Sequence, residues 1–523
     1  MPVPREARVV TAGEAAALVA DGTSVAVGGT GCGHLVAESV LAALEERFLE
    51  VGRPKDLTLV HTMGLGDQKT NRGIEHFAHS GFVKTFYGSH YAHNKNLMAM
   101  LLAGEMSAYV LPAGVICQLY REIAAGRPGL ITKTGIGTFV DPELEGARSH
   151  PGMAEYVRRL EIDGVRYLFY PSFPIQVGLI RASVADVEGN LCMLDEPALG
   201  DNLQLAQAVK NSGGVVVAQV AQVAARHSLP SRLVQVPAAL IDYLVVEPDA
   251  PVTYVTKRSD AYSGRYRVPA TAIEPLPGGP RKVIARRAAQ LLKPDTLVNL
   301  GFGVANGVAT ILAEEGLEAI LNLTVEQGTY GGNPAVGLDA GAAVNYDALI
   351  DVPTQFDFYD GGGLDQTFLS FAQVDPRGRV NVSRFADKLT GPGGFIDISR
   401  RAGQVVFLGM LTAGARLTQA GAGWGIEREG LPKFVSTLDQ VTYDPATAEN
   451  RISPVYITER AVFELRSGRL TLTEIAPGCS LESVIAAMGF RPEVAAEVKE
   501  MPARLFDAEA GFVRSSMPEA APV

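Results

Sequence analysis

Two stretches of this chain repeat one local order. Residues 21–46, DGTSVAVGGTGCGHLVAESVLAALEE, and residues 295–316, DTLVNLGFGVANGVATILAEEG, each run turn, β-branched strand, glycine loop, alanine-rich helix. Two further pairs follow. An Asp–x–x–Gly turn enters a strand at ADVEGNL (185–191) and at VDPRGRVNV (374–382), and small and polar residues precede a strand at KNSGGVVVAQV and SRRAGQVVFLGM. The first pair lies about 274 residues apart and the others about 190, so the order is shared and the inserted lengths are not, which describes two related domains rather than a solenoid.

Strands separated by helices imply parallel sheets covered on both faces. The fold expected is therefore α/β, with two related open α/β domains, largely parallel sheets, and a site between them. The Pro/Gly-rich stretch YRVPATAIEPLPGGPRK, residues 266–282, reads as the linker. That gives an N-terminal domain over 1–265, a C-terminal domain over 283–515, and a disordered tail over 516–523. A length of 523 residues agrees with two cores rather than one.

The 47% hydrophobic and 20% charged content is that of a globular protein, and the net charge of −11 comes with no basic run. Neither nucleic acid nor an anionic membrane surface is an expected partner. The N-terminus has no signal-type apolar core, and no stretch approaches the roughly 18 apolar residues of a membrane span. Cys32, Cys117, Cys192 and Cys479 are too widely spaced for a disulfide framework or a CxxC pair. A reducing, cytoplasmic compartment is expected.

The stretch LNLTVEQGTYGGNPA (321–335) ends an apolar run in one acid, Glu326, and goes straight into a glycine loop. A residue at the carboxyl end of a parallel strand faces the crevice where ligands bind. A carboxylate there can act as base, metal ligand or nucleophile, or merely cap a turn. Gly328, Gly331 and Gly332 would let backbone approach a ligand. In TGPGGFIDIS (390–399), Gly391, Gly393 and Gly394 could present the amides of an oxyanion hole, or form a plain loop before a helix. In FDFYDGGGLD (356–365), Gly361, Gly362 and Gly363 lie between aromatics and an acid, as in a surface for a flat ligand or in a flexible turn. GFGVANG (301–307) is spaced GxGxxxG and lacks the acid that completes a dinucleotide fingerprint. His76/His79 and His90/His93 give His–x–x–His twice, but no nearby cysteine or paired carboxylate completes a ligand set. No metal is expected, and with no GxSxG elbow no serine hydrolase either.

Taken together, EQGTYGGNPAVG, QFDFYDGGGLD, VNVSRF and GPGGFIDIS in the second half, with RPKDLTLVH, LYREIAAGRPGLITKTGIGTFVDPELEG and AQAVKNSGG in the first, resemble the class I CoA-transferases. The chain is most similar to the fused, single-chain short-chain acyl (propionate/acetate) group, over roughly residues 8 to 510. The resemblance implies that Glu326 is the catalytic glutamate and carries a glutamyl-CoA thioester. It implies that the amide of Gly393 helps form the oxyanion hole, and that Gly28, Gly29, Gly31 and Gly33 lie near the acyl pocket, with Gly331, Gly332, Gly394 and Gly361 to Gly363 near CoA or the acyl group. CoA is then a substrate, small carboxylates its partners, no further cofactor is needed, and a homo-oligomer, dimer or tetramer, is expected. One departure stands out. Family members commonly carry Pro–Gln–Gly, whose glutamine can serve the oxyanion site; here the triplet is Pro112–Ala113–Gly114, with Gln118 five residues on. GGTGCG likewise replaces a Gly–Gly–Phe pattern, so Thr30 and Cys32 would reshape the acyl site. An acyl-CoA hydrolase on the same fold, or a ligand-sensing protein without catalysis, would use the same scaffold.

Overall fold

The computed structural model describes residues 6–269, 274–317, 320–385, 388–421 and 423–507. The expected tail over 516–523 and positions 270–273 of the expected linker lie outside them. The helix Pro280–Ala289 takes the last residues of the 266–282 stretch, with Pro280 at its start, where a missing N–H costs nothing.

Two ten-stranded sheets organise the chain. The first runs Arg8–Val9, Tyr243–Val246, Val215–Ala224, Val177–Asp186, Ser24–Val27, Leu57–His61, Val83–Gly88, Ser107–Val110, with every neighbour along this path parallel. The ten residues of Val177–Asp186 are all buried, as a central strand covered on both faces must be. The chain lays down Ser24–Val27, steps outward to Ser107–Val110, then returns to the other side with Val177–Asp186. The order therefore reverses between Ser24–Val27 and Val177–Asp186, and in such sheets ligands bind outside the carboxyl ends at that point.

The second sheet repeats the plan. Leu297–Leu300 is flanked by Asn322–Thr324 on one side and Gln366–Ser370 on the other, followed by Gln404–Leu408 and Ile452–Ile457, all parallel. Both margins are less regular than the expected parallel sheet. Thr329–Tyr330 and Ala348–Leu349 join antiparallel at one margin, and Ala461–Arg466 and Arg469–Ile475 at the other. Short hairpins join Asn322–Thr324 to Thr329–Tyr330 and Ile452–Ile457 to Ala461–Arg466 to Arg469–Ile475, whereas Thr329–Tyr330 meets Ala348–Leu349 only after a longer excursion.

The Asp–x–x–Gly turns are the same object twice. Asp186 accepts backbone N–H bonds from residues 188, 189 and 190, each at 3.0 Å, and Asp375 accepts from Arg377 and Arg379 at 2.9 Å. Each turn leads into an antiparallel partner strand.

The halves meet through two helices. Ala113–Ala124 is buried over most of its circumference because the helix Asn202–Asn211, the first sheet and Val352–Asp360 all pack on it. Asp351 caps the latter helix, accepting from the Thr354 N–H at 2.8 Å. Phe356, fully buried, fills the joint: side chains at Gly114 and at Gly394 would both press on its ring. Phe356→Ala is expected to destabilise the protein by about 3–5 kcal/mol, read as a fall in the urea midpoint, and to lower activity because Gly394 loses its backing.

Candidate active site

Glu326 sits at the tip of a hairpin. Asn322–Thr324 pairs antiparallel with Thr329–Tyr330, and the Gly328 N–H donates to the Val325 carbonyl at 2.9 Å, closing a four-residue turn with Glu326 at its second position. The strand end is pinned from behind. Tyr359 donates its hydroxyl to Thr324 Oγ1 at 2.8 Å, and Asn299 Nδ2 donates to the Tyr359 hydroxyl at 3.2 Å.

The carboxylate projects into a cavity of about 590 Å³. The walls come from both switch points. From the first half come Gly31 and Cys32, after Ser24–Val27; from the second come Gly301 to Gly303, after Leu297–Leu300, and Ser370 to Ala372, at the end of Gln366–Ser370. Two turns of the first half, through Gly64 and through His90 and His93, complete it, together with Gly391, Gly393 and Gly394. At Gly31, with φ +61°, an added side chain would meet the Ala340 carbonyl at 2.7 Å, so the glycine lets the first half's loop touch the second half.

Glu326 keeps part of its surface open to this cavity and is otherwise enclosed. Burial pushes its carboxyl up to about 7, and one long hydrogen bond from Gln327 Nε2, at 3.3 Å, opposes the rise. No cation among the described residues offsets its charge. Behind it, burial pushes Asp397 well above the carboxylate range, with Asp360 and Glu326 itself adding to the rise. Gly394 stands against the Glu326 carboxylate: a side chain there would overlap Glu326 Oε2 and the Phe356 ring. Its φ of −84° suits any residue, so space alone demands glycine.

The GPGG amides are not equivalent. The Gly391 N–H donates to Ser383 O at 2.9 Å and the Gly393 N–H to Ser89 O at 3.1 Å. The Gly394 N–H donates to no acceptor among the described residues.

The remaining expected residues separate. Gly31, Gly393 and Gly394 line the cavity with Glu326, whereas Gly28, Gly29, Gly33, Gly331, Gly332 and Gly361 to Gly363 do not. The Gly28 N–H is bound to Leu179 O at 2.8 Å, and the space beside Gly28 belongs to Asn202. Gly331 and Gly332 turn the chain against residues 344–347. Gly361 to Gly363 end the helix Val352–Asp360, so the aromatics before them point into the joint instead of forming a flat surface, except Phe358, which is 42% exposed. Ala113 is fully buried and offers no donor; Gln118 donates to Asp360 Oδ2 at 2.8 Å and does not line the cavity.

The histidine pairs also part. His76 and His79 do find carboxylates, from the helix Glu38–Val51: His76 contacts Glu45 at 2.6 Å and Glu38 at 3.0 Å, and His79 contacts Glu45 at 2.5 Å. The sequence hides this pairing because those acids stand more than 30 residues away. Burial alone would lower His76, but the two carboxylates hold it above its ordinary value. His90 and His93 face the cavity instead. Among the described residues no cluster of three or more His, Cys, Asp or Glu suits a metal ion.

A lone carboxylate thus lies in a glycine-walled cleft where two α/β sheets bring their switch points together, the place where open α/β sheets bind ligands. The coenzyme A transferase family model matches residues 9–247. Caffeate CoA-transferase of Acetobacterium woodii is 40% identical over 512 residues, 96% of this chain and 97% of its own length. The acetate CoA-transferase YdiF of Escherichia coli (strain K12) is 38% identical over 520 residues, 98% of this chain and 97% of its own. The crystal structure of the acyl-CoA transferase YdiF from E. coli O157:H7 as a thioester complex with CoA superposes with a TM-score of 0.93 at 36% identity, covering 99% of this chain and 100% of that one. The chain belongs to the coenzyme A transferase family.

Two outcomes follow from the environment of Glu326. Gly394→Ala is expected to lower kcat by at least about 100-fold, since it displaces the carboxylate from its working position. A carboxyl whose folded pKa is raised binds its proton more tightly when folded, so its contribution to stability is full below about 4.5 and lost as pH rises through about 7. Glu326→Gln escapes that loss. At pH 8 it is expected to be more stable than the parent by about 1–3 kcal/mol, with the advantage vanishing near pH 4, as thermal unfolding at the two pH values will read.

Proposed function

We propose that this protein exchanges CoA between an acyl-CoA and a free short-chain carboxylic acid, with Glu326 as the nucleophile. The observation that carries the reading is the placement of Glu326: partly dry, without a counter-ion, and reached by loops from both halves. A carboxylate is a weak nucleophile in water. Taken out of water, with its pKa pushed up to about 7, it becomes more basic and loses less solvation on attack.

Glu326 Oε adds to the thioester carbonyl, and the C–S bond breaks to give an acyl–glutamyl anhydride and CoA thiolate. The thiolate then adds to the glutamyl carbonyl, the free acid leaves as a carboxylate, and glutamyl-CoA remains on Glu326. The second acid runs both steps in reverse, so no metal or redox group enters the balance. Both tetrahedral steps place negative charge on an oxygen beside Gly393 and Gly394. The Gly394 amide is the donor with no partner to give up; the Gly393 amide would have to leave Ser89. With Ala113 and Gln118 unable to supply a side-chain donor, the backbone bears this role.

The exchange predicts ping-pong kinetics. Glu326→Ala is expected to abolish transfer, and Glu326→Asp to lose most of it through a one-methylene retreat. Mass spectrometry after incubation with acyl-CoA should find a CoA adduct on Glu326; full transfer by Glu326→Ala would remove the assignment. Acyl-CoA alone should be nearly stable to the enzyme, and rapid hydrolysis would mark a thioesterase instead. Because only the ionised form attacks, kcat/KM for acyl-CoA should fall tenfold per pH unit below about 7 and level off above it.

A further inference from the structure

One loop of the second half reaches the first. Residues 335–342, AVGLDAGA, form a tip between Asn333–Pro334 and Ala343–Val344, which pair antiparallel, and the Ala335 N–H closes it on the Ala342 carbonyl at 2.9 Å. Gly337, Ala340 and Gly341 of this tip line the cavity beside Gly31 and Cys32. At Gly341, with φ +106°, an added side chain would meet Gly31 Cα at 2.9 Å and the Gln327 side chain at 3.1 Å. The tip is thus wedged between the first half's loop and Gln327, whose Nε2 donates to Glu326. Gln327 Oε1 is buried without a partner among the described residues, so packing against the tip, not a second hydrogen bond, aims this amide.

Asp339 is the one polar side chain of the tip. The segment that leaves the first sheet after Tyr243–Val246 sets three hydroxyls around its carboxylate. Thr253 donates to Oδ1, and Thr256 and Tyr262 donate to Oδ2 at 2.8 and 3.2 Å. The Thr253 oxygen already accepts the Val255 and Thr256 N–H groups, at 3.2 and 2.9 Å, which leaves its proton for Asp339. Tyr254, in the same segment, is locked to the first half: its ring fills the space beside Gly33, and its carbonyl accepts from Arg72 at 2.9 Å.

We propose that Asp339 is a positioning residue of the exchange reaction: fastened by Thr253, Thr256 and Tyr262, it holds the 335–342 tip against Gln327 and so keeps the Gln327 amide on Glu326. The inference rests on the transferase reading and adds to it a residue that acts through another. Removing Asp339 has two effects of opposite sign. Losing a negative charge eases the ionisation of Glu326. Losing the Gln327 bond, which favours the ionised form, hinders it. Other titratable groups face these two. Burial pulls His90 down to about 3, His34 down to about 4, and lowers His93; it pushes Cys32 and Tyr262 up to about 12. All of these stay uncharged near neutral pH. Asp397, which Glu326 helps to raise, belongs to the helix Phe395–Arg401 and not to the tip.

The test follows kcat and the pH profile of kcat/KM, with acetyl-CoA as donor and butyrate as acceptor. Asp339→Ala is expected to lower kcat by at least about tenfold and to move the midpoint of the profile upward by about half a pH unit. Asp339→Asn sheds the charge yet keeps an oxygen for the hydroxyls, so it should stay near the parent in kcat with no upward movement. Gln327→Leu should raise the midpoint as Asp339→Ala does, and combining the two should cost little more than Gln327→Leu alone. A midpoint that stays or falls in Asp339→Ala, or losses that add in full, overturns the proposal. Should Asp339→Ala fail to fold, Thr256→Val with Tyr262→Phe leaves the carboxylate one of its three hydroxyls and is read by the same midpoint and the same combination with Gln327→Leu. If the parent neither exchanges CoA nor carries an adduct on Glu326, the transferase reading itself fails and takes the inference with it, an outcome distinct from an exchanging parent whose variants show no movement.

Discussion

A carboxylate largely withdrawn from water with no cation beside it is among the least favourable groups a protein can hold. It survives only where the surrounding structure is strong enough to impose it. Here the Glu326 turn is closed by its own hairpin, its strand is held by Tyr359 and Asn299, and Gly394 with Phe356 fills the space behind. The two sheets, the helical joint and the interlocked loops can be understood as what keeps that one side chain in place. The desolvation that makes the ionised side chain costly is the same that raises its pKa.

Each sheet by itself is an ordinary open α/β sheet with a ligand crevice at its switch point. What distinguishes this protein is that the crevices face each other. The first half contributes Gly31, Cys32, His90 and His93; the second contributes Glu326 and the amides after Thr390. The duplicated Asp turns, at Asp186 and Asp375, show how far the likeness of the halves extends. The likeness stops at the cleft, where the acid stands in the second half only.

Much of the fold could be read from the chain. The repeated strand–glycine–helix order announces two related units, and an acid ending an apolar run singles out Glu326. What the sequence left open is governed by contacts between distant segments. Of the GGTGCG glycines lining the cavity, only Gly31 does so, because Gly28 and Gly29 serve packing against Asn202 and Leu65. His90–x–x–His93 and His76–x–x–His79 are identical as patterns, yet one pair faces the cleft and the other is claimed by Glu38 and Glu45. Gln118 is excluded by helical phase. Five residues beyond Ala113 it is turned by about 140°, onto Asp360 rather than toward the cavity. Even the GPGG motif, easily located, does not reveal that the amide of Gly393 is already bound to Ser89.

That last bond has a wider meaning. Gly393 gives its N–H to Ser89 and its carbonyl to the Ala113 N–H at 2.9 Å, while the Tyr91 N–H reaches the Thr390 carbonyl at 2.8 Å. The peptide stretch beside Glu326 is thus also the seam that sews one half to the other. A clamshell motion wide enough to swallow a nucleotide would rip these stitches and part the GPGG loop from the first half.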